Sequence, residues 1–437
     1  MKPAKPSPLL PAVRIAMTAA ISAVAFAAMT AVAFAAMSAI AFAAMSAAAP
    51  AAAGSEYISL RRAPAAPSPE IRAALSPETR AAPPPAPAPA DGEDGAGYAD
   101  GESAARGLRS VRVEGRKIIV TSGTGAPVDY KIKGVCYSND ADGLSFYENL
   151  ERDLPLLKAI HANSIRTFRP LAAYKEGTET VELDYEKTRH MLDRLAASGI
   201  SVTVGFDSAR DIVGGIRDDA TGRVFREAFY LEYINAFAAH PAVLAWAFGN
   251  EYNYKYAEWF DGDKNKWLGI LAGAVKNARA ASPRPAAVVH GELPGEAEMR
   301  EYQAIPGLDL VMLNVYRGPS FGGLYKDWTA RTRTAPMPAV LAEFGRSSMD
   351  GKGNDTGALQ AEWIGKLWAE IEAGFDATGA GGYLFSLKDE AWKGDSDSGP
   401  NIGVENRLGI FTADGRPKEA ARLLMRLWKP EAAHENP

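Results

Sequence analysis

One cysteine, Cys136, stands in a chain of 437 residues. That excludes any disulfide within the chain and every zinc motif built on paired thiolates. Histidine is scarce as well: His161, His190, His240, His290 and His434 show no ligand spacing of the H-E-x-x-H kind. No G-x-G-x-x-G and no phosphate-binding loop follows the first strand-like run, so the usual dinucleotide and nucleotide fingerprints are missing. Lysine and arginine are scattered and the formal net charge is -5, which leaves no basic stripe for nucleic acid. The expectation is a protein with no metal, no organic cofactor and no nucleic-acid partner.

Charge is also absent from Ile15 to Ser55, a stretch rich in alanine that carries Phe26, Phe34 and Phe42 in a short Ala-Phe-Ala-Ala-Met repeat. Lys2, Lys5 and Arg14 precede it and small residues close it, the order of an export signal. Its apolar part is long enough to span a bilayer as a helix. Residues 1–55 are therefore expected to be a signal peptide or a membrane anchor. The rest of the chain would then be periplasmic or extracellular, released or held at the inner membrane. Residues 56–107 turn to Pro, Ala, Gly and Ser, too little apolar surface to offset chain entropy, and read as a disordered linker.

From residue 108 to 430 the pattern is that of one globular domain. Val111 to Val120 alternates like a hairpin with Glu114-Gly115 at its tip. Eight apolar runs follow, at 131–138, 163–169, 200–207, 242–251, 286–292, 308–316, 338–345 and 381–387. Amphipathic helical patterns lie between them at 147–159, 185–198, 224–239, 264–281 and 359–372, with a last one at 418–428. Near-continuous apolar strands separated by helices imply a parallel sheet covered by helices. Eight such units in this length predict a (β/α)8 TIM barrel of the α/β class, with the N-terminal β-hairpin closing its bottom.

Function in such barrels gathers at the C-terminal ends of the strands. Read in order, those ends hold Tyr137-Ser138-Asn139-Asp140, Arg166 and Arg169, Asp207, Asn250-Glu251, His290 and Glu292, Asn314 and Tyr316, Glu343, and the run from Lys388 to Trp392. Two carboxylates, Glu251 and Glu343, delivered by two different strands point to glycoside chemistry. In this setting the chain resembles the clan A glycoside hydrolases. The matching residues are Gly249-Asn250-Glu251 on the fourth strand and Ala342-Glu343-Phe344-Gly345 on the seventh. Ile132 to Val135, Asn163 to Arg166, Asn314-Val315-Tyr316 and Gly409 to Lys418 support them. Arg152 to Lys158 with Asn163 to Thr167 is similar to the family 72 β-1,3-glucanosyltransferases, and the first and eighth strand runs resemble family 2 barrels.

The resemblance implies that Glu251 is the acid/base and Glu343 the nucleophile of a retaining double displacement on a β-linked glycan, with β-glucan as the expected substrate. Glu251 must then carry a proton and Glu343 must stay ionised. Arg166 and the Tyr316 hydroxyl would hold Glu343, and Asn250 would bond the sugar 2-hydroxyl. Trp392 and Tyr137, with Tyr252 or Trp259, offer flat faces for a pyranose. Asp207 and His290 are further candidates for substrate contact. The same residues also fit a transglycosylase, in which a second sugar replaces water. A non-catalytic carbohydrate-binding or cell-wall-attached protein is the alternative of another class.

Overall fold

The computed structural model describes residues 107–138, 146–207, 212–214, 222–390 and 404–430. The signal or anchor segment at 1–55 lies outside them, as does all but the last residue of the linker at 56–107. Among the described residues no helix is long and apolar enough to cross a membrane.

The chain opens with a small antiparallel sheet of β1 (Leu108–Glu114), β2 (Lys117–Ser122) and β3 (Val128–Asp129). Leu108, Val111, Ile118 and Val120 turn one face of it into the cluster that fills the barrel interior. The rim of this sheet is tied to the chain just before the barrel strands. Leu108 donates to Pro241 O at 2.7 Å, Arg284 Nη2 reaches Leu108 O at 2.7 Å, and Arg116 Nη1 reaches Thr332 and Thr378 hydroxyls at 2.8 and 2.9 Å. The hairpin thus covers the N-terminal mouth, as the sequence predicts.

Eight parallel strands then close on themselves: β4 (Ile132–Cys136), β5 (Ser164–Arg166), β6 (Ser201–Phe206), β7 (Val243–Phe248), β8 (Ala286–Gly291), β9 (Leu308–Asn314), β10 (Ala339–Phe344) and β11 (Gly379–Leu384), with β11 pairing back to β4. They are buried on both faces because alternate residues serve two cores. Val288, Val311 and Leu341 face the helices, whereas Val289, Met312 and Val340 face the barrel axis. This double burial is why the strands read as unbroken apolar runs rather than alternating ones.

The outer layer comprises α1 (Tyr147–Ala159), α2 (Tyr185–Ala197), α3 (Phe229–Ala236), α4 (Tyr256–Trp259), α5 (Lys264–Ala281), α6 (Glu296–Gln303), α7 (Leu324–Arg331), α8 (Gly357–Ala373) and α9 (Glu419–Leu427). Helix α5 starts where Asp263 caps Asn265 N, and buries Trp267, Leu271, Ala274, Val275 and Ala278 at helical spacing. Helix α3 is shorter than its pattern predicts, because Ala228 takes a left-handed conformation (φ 55°) and delays the start to Phe229. Helices α6 and α7 escape the sequence reading, since each buries only two residues, Met299 with Tyr302 and Leu324 with Trp328. Two points do not make a period.

Candidate active site

Four strand ends build the site. At the end of β5, Ile165 faces the helices and leaves Arg166 to point along the barrel axis, where it is fully buried. Arg166 Nη1 donates to Glu343 Oε1 at 3.0 Å and to Ala342 O at 3.2 Å, Nη2 donates to Asn250 Oδ1 at 2.8 Å, and the guanidinium lies 4.4 Å from the Phe168 ring centroid. Burial would pull its pKa down. Cys136, Glu343 and, beyond them, Asp207 more than offset that pull and leave it above the ordinary arginine value. Burial also drives the Cys136 thiol far up, so the thiol is neutral and Glu343 is the counter-charge at neutral pH.

Glu343 comes from β10 at an irregularity. The register of β10 slips between Leu341 and Glu343 against β9 and again before Phe344 against β11. Ala342 packs into the inner core, and its neighbour Glu343 also reaches inward, which a regular strand with period two does not allow. The carboxylate is inaccessible to solvent. Three donors converge on it: Arg166 and Asn314 Nδ2 on Oε1 at 3.0 and 2.8 Å, and the Tyr316 hydroxyl on Oε2 at 2.9 Å. Donors of this kind suit an ionised carboxylate.

Glu251 follows β7 through a tight turn. Gly249 has φ 69°, and a side chain there would run into the Trp267 ring, whose nearest carbon lies 2.7 Å from where a Cβ would sit. Glu251 itself is left-handed (φ 58°, ψ 31°), a conformation that costs a non-glycine residue on the order of 1–3 kcal/mol and must be held by its surroundings. Its N–H donates to Val289 O at 3.1 Å, and the next residue, Tyr252, donates its hydroxyl to Asp207 O at 2.5 Å. The turn aims the Glu251 carboxylate at the end of β9, where Asn314 Nδ2 donates to Glu251 Oε1 at 2.8 Å.

Asn314 is therefore the bridge. Its one amide nitrogen reaches Glu251 Oε1 and Glu343 Oε1, each at 2.8 Å, and Asn250 Oδ1 at 3.2 Å. An oxygen at that position would face three acceptors, so the amide orientation is set by its neighbours. Because both carboxylate oxygens lie 2.8 Å from a single atom, they can be no farther apart than twice that distance. Among the described residues no group of three or more His, Cys, Asp or Glu is arranged to hold a metal ion.

The structure brings together Glu251, Glu343, Asn250, Arg166 and Tyr316, as the strand ends predict, and adds Asn314, which the sequence places at a strand end without assigning it to the site. Asp207 acts on this group through its charge, which helps to hold the Arg166 pKa up, and its backbone O accepts from the Tyr252 hydroxyl at 2.5 Å. His290 points away from it: on the outward face of β8, its Nδ1 contacts Glu292 O at 2.8 Å and its Nε2 contacts Glu298 Oε2 at 3.0 Å on α6. Tyr137 is a packing residue in this structure, buried against Phe146 with its hydroxyl on Asp153 Oδ2 at 3.2 Å, and so presents no face to a sugar. Tyr252 is likewise covered, its ring 4.4 Å from Trp267 and 4.9 Å from Trp259. Trp392, Asn139 and Asp140 lie outside the described residues.

No family model matches the chain. A curated β-glucuronidase from Paenibacillus borealis is 25% identical over 342 residues, which cover 74% of this chain and 52% of that protein. Among solved structures, the β-D-glucuronidase of Dictyoglomus thermophilum is 21% identical with a TM-score of 0.50, over 74% of this chain and 54% of the other. The Ruminococcus gnavus β-glucuronidase in complex with D-glucuronic acid gives 18% and 0.47, over 74% and 52%. The chain spans about half the length of the curated relative it matches. The Dictyoglomus likeness shows a shared fold, and in this chain that fold is a closed eight-stranded parallel barrel.

Proposed function

We propose that this chain is a retaining glycoside hydrolase acting on a β-linked glycan, with Glu343 as nucleophile and Glu251 as acid/base. The observation that carries the reading is the spacing set by Asn314. Carboxylate oxygens no farther apart than twice 2.8 Å fall short of the about 6.5–9.5 Å at which an inverting enzyme holds its carboxyls around a water, and are consistent with the roughly 5–5.5 Å of retaining enzymes.

In the first step Glu343 attacks the anomeric carbon while Glu251 gives its proton to the departing oxygen. In the second step Glu251 takes a proton from water, which displaces Glu343. Arg166 and Tyr316 fix the carboxylate that attacks, and a fixed nucleophile contributes through orientation rather than through binding alone. Asn250 is itself held by Arg166 and is suited to the sugar 2-hydroxyl.

The substrate is the finer part of the proposal. β-Glucan is the expectation from sequence, and the curated relative's name adds β-glucuronides. In the two stretches whose sequence resembles family 72, Asp153 is paired with Lys388 Nζ at 3.0 Å, and the Asn163 side chain clamps Lys131 O and Lys133 N at 2.8 Å. Both contacts hold the barrel rather than a sugar, so transglycosylation rests on the shared catalytic pair alone. Export through residues 1–55 remains part of the proposal, resting on the sequence.

The test is a panel of β-glucosides, β-glucuronides, β-galactosides, β-mannosides and β-1,3-, β-1,4- and β-1,6-glucans. The anomer first released is followed by NMR, with and without an added oligosaccharide acceptor. Turnover with the β-anomer first, abolished in Glu343→Gln, supports the reading. Absence of turnover on the whole panel, with binding retained, favours the non-catalytic alternative.

A further inference from the structure

We infer that Asn253 positions the acid/base: its side-chain amide takes the place of a neighbouring strand's backbone and fastens the turn that carries Glu251 to the end of β8. This rests on the reading of Glu251 as acid/base and goes beyond it, to what holds that carboxylate in place.

The turn needs a hold. Strand β7 pairs with β8 through Trp246, Ala247 and Phe248, opposite Ala286, Ala287 and Val288, and then leaves the sheet at Gly249, which is left-handed (φ 69°). Glu251 is left-handed as well (φ 58°), and a residue with a side chain keeps that conformation only where its surroundings impose it.

Strand β8 runs on past the point where β7 departs, and its backbone groups are met by the turn instead. Glu251 N–H donates to Val289 O at 3.1 Å. Two residues farther along β8, Gly291 N–H donates to Asn253 Oδ1 at 2.8 Å, and Asn253 Nδ2 donates to Gly291 O at 3.0 Å. In a parallel ladder those two groups would be met by the backbone of the adjacent strand; here one side chain meets both. A carboxamide carries the donor and the acceptor that this requires, whereas a carboxylate lacks the donor and an alkyl side chain lacks both.

What Gly291 stands beside gives the clamp its consequence. On its other side Gly291 is in register with Asn314 of β9, and Asn314 Nδ2 donates to Glu251 Oε1 at 2.8 Å. Glu251, Asn253, Gly291 and Asn314 therefore close a circuit in which two residues of one turn are tied to two adjacent strand ends. Cutting the Asn253 link removes two of the hydrogen bonds that join the turn to β8 and loosens the carboxylate over Asn314. A general acid must stand within hydrogen-bond reach of the oxygen it protonates, and a misplacement of about 1 Å can cost on the order of a hundredfold in rate. That cost falls on leaving groups that need a proton. A change that only weakened the fold would act on every substrate alike.

The experiment compares the wild type with Asn253→Leu, which has neither donor nor acceptor, and Asn253→Asp, which keeps the acceptor for Gly291 N–H and loses the donor to Gly291 O. For each, kcat/KM is measured on two glycosides of whichever β-sugar the enzyme turns over: a 2,4-dinitrophenyl glycoside, whose leaving group departs without a proton, and an alkyl glycoside, whose leaving group requires one. The expected result is that Asn253→Leu lowers kcat/KM about tenfold more on the alkyl glycoside than on the dinitrophenyl glycoside, and that Asn253→Asp shifts the ratio in the same sense. Should Asn253→Leu fail to fold, Asn253→Asp carries the comparison. Equal losses on both substrates, or no loss on either, overturn the inference. Glu251→Gln on the same pair separates this outcome from the reading beneath it. If Glu251→Gln shows the leaving-group dependence and the Asn253 variants do not, the positioning role alone falls; if Glu251→Gln does not show it either, the acid/base assignment falls as well.

Discussion

A single amide nitrogen, Nδ2 of Asn314, stands 2.8 Å from Glu251 Oε1 and 2.8 Å from Glu343 Oε1. Two carboxyl groups this close together need a donor or a proton between them, and Asn314 supplies a donor to both. The geometry of the pair therefore depends on a residue that carries no charge.

Asn314→Ala is expected to lower kcat/KM by about a hundredfold, the size of effect seen when one oriented donor is removed from a catalytic centre. Asn314→Asp puts an acceptor where the donor stood and should cost more than the alanine change. Steady-state kinetics on one β-glycoside checks both; an aspartate variant as active as the wild type would mean that the bridge is incidental.

The two glutamates should fail differently. Glu251→Gln removes the proton donor, so its loss should shrink on substrates whose leaving group departs without a proton, such as a dinitrophenyl glycoside. Glu343→Gln removes the attacking atom and should lose turnover on every substrate. The ratio of the two losses across leaving groups of graded pKa reads the assignment, and an inverted ratio would exchange the two roles.

Arg166 holds stability as well as orientation. Replacing it with alanine leaves Glu343 inaccessible and without its cation, a change that costs about 3–5 kcal/mol in other buried pairs. Urea unfolding should show that loss, provided the transition is two-state. A cost below about 1 kcal/mol, the range of exposed pairs, would show that the pair is solvated.

His290 predicts a pH effect on stability rather than on substrate binding. Burial raises the pKa of Glu298, but His290 first, and then the Tyr256 hydroxyl and the charge of Lys264, together overcome it and leave the pKa below the ordinary value. An acid with a depressed folded pKa contributes stability that is complete above its unfolded pKa, about 4.3, and is lost as pH falls through the folded value. In His290→Gln the His290 share of that contribution is lost, so the gap in thermal midpoint between wild type and variant should be wide at pH 5 and narrow as the acid is titrated. A gap that widens toward low pH contradicts the pairing.

Much of this is legible in the residues alone. The barrel strands declare themselves because burial on two faces makes each an unbroken apolar run, and the proposed pair, Glu251 and Glu343, stands out because a carboxylate at such a run's end has little packing reason to be there. What resists reading depends on register and on turns. Ala342 and Glu343 both face inward only because the β10 register slips, and no local pattern marks that slip. Tyr137 reads as a rim aromatic until Asp153 and Phe146 are seen to enclose it. His290 stands one position from an axial residue, and one position on a strand is the difference between the site and the helix layer. The role of Asn314 requires three neighbours from two other strands, which only the closed barrel supplies.

Glu343 is expected to form a covalent bond with the sugar. A 2-deoxy-2-fluoro-β-glycosyl fluoride of the preferred sugar should inactivate the enzyme in a time-dependent way, and peptide mass mapping should find the fluorosugar on Glu343. Label on Glu251, or an enzyme that turns over the parent glycoside with inversion and takes up no label, would contradict the account.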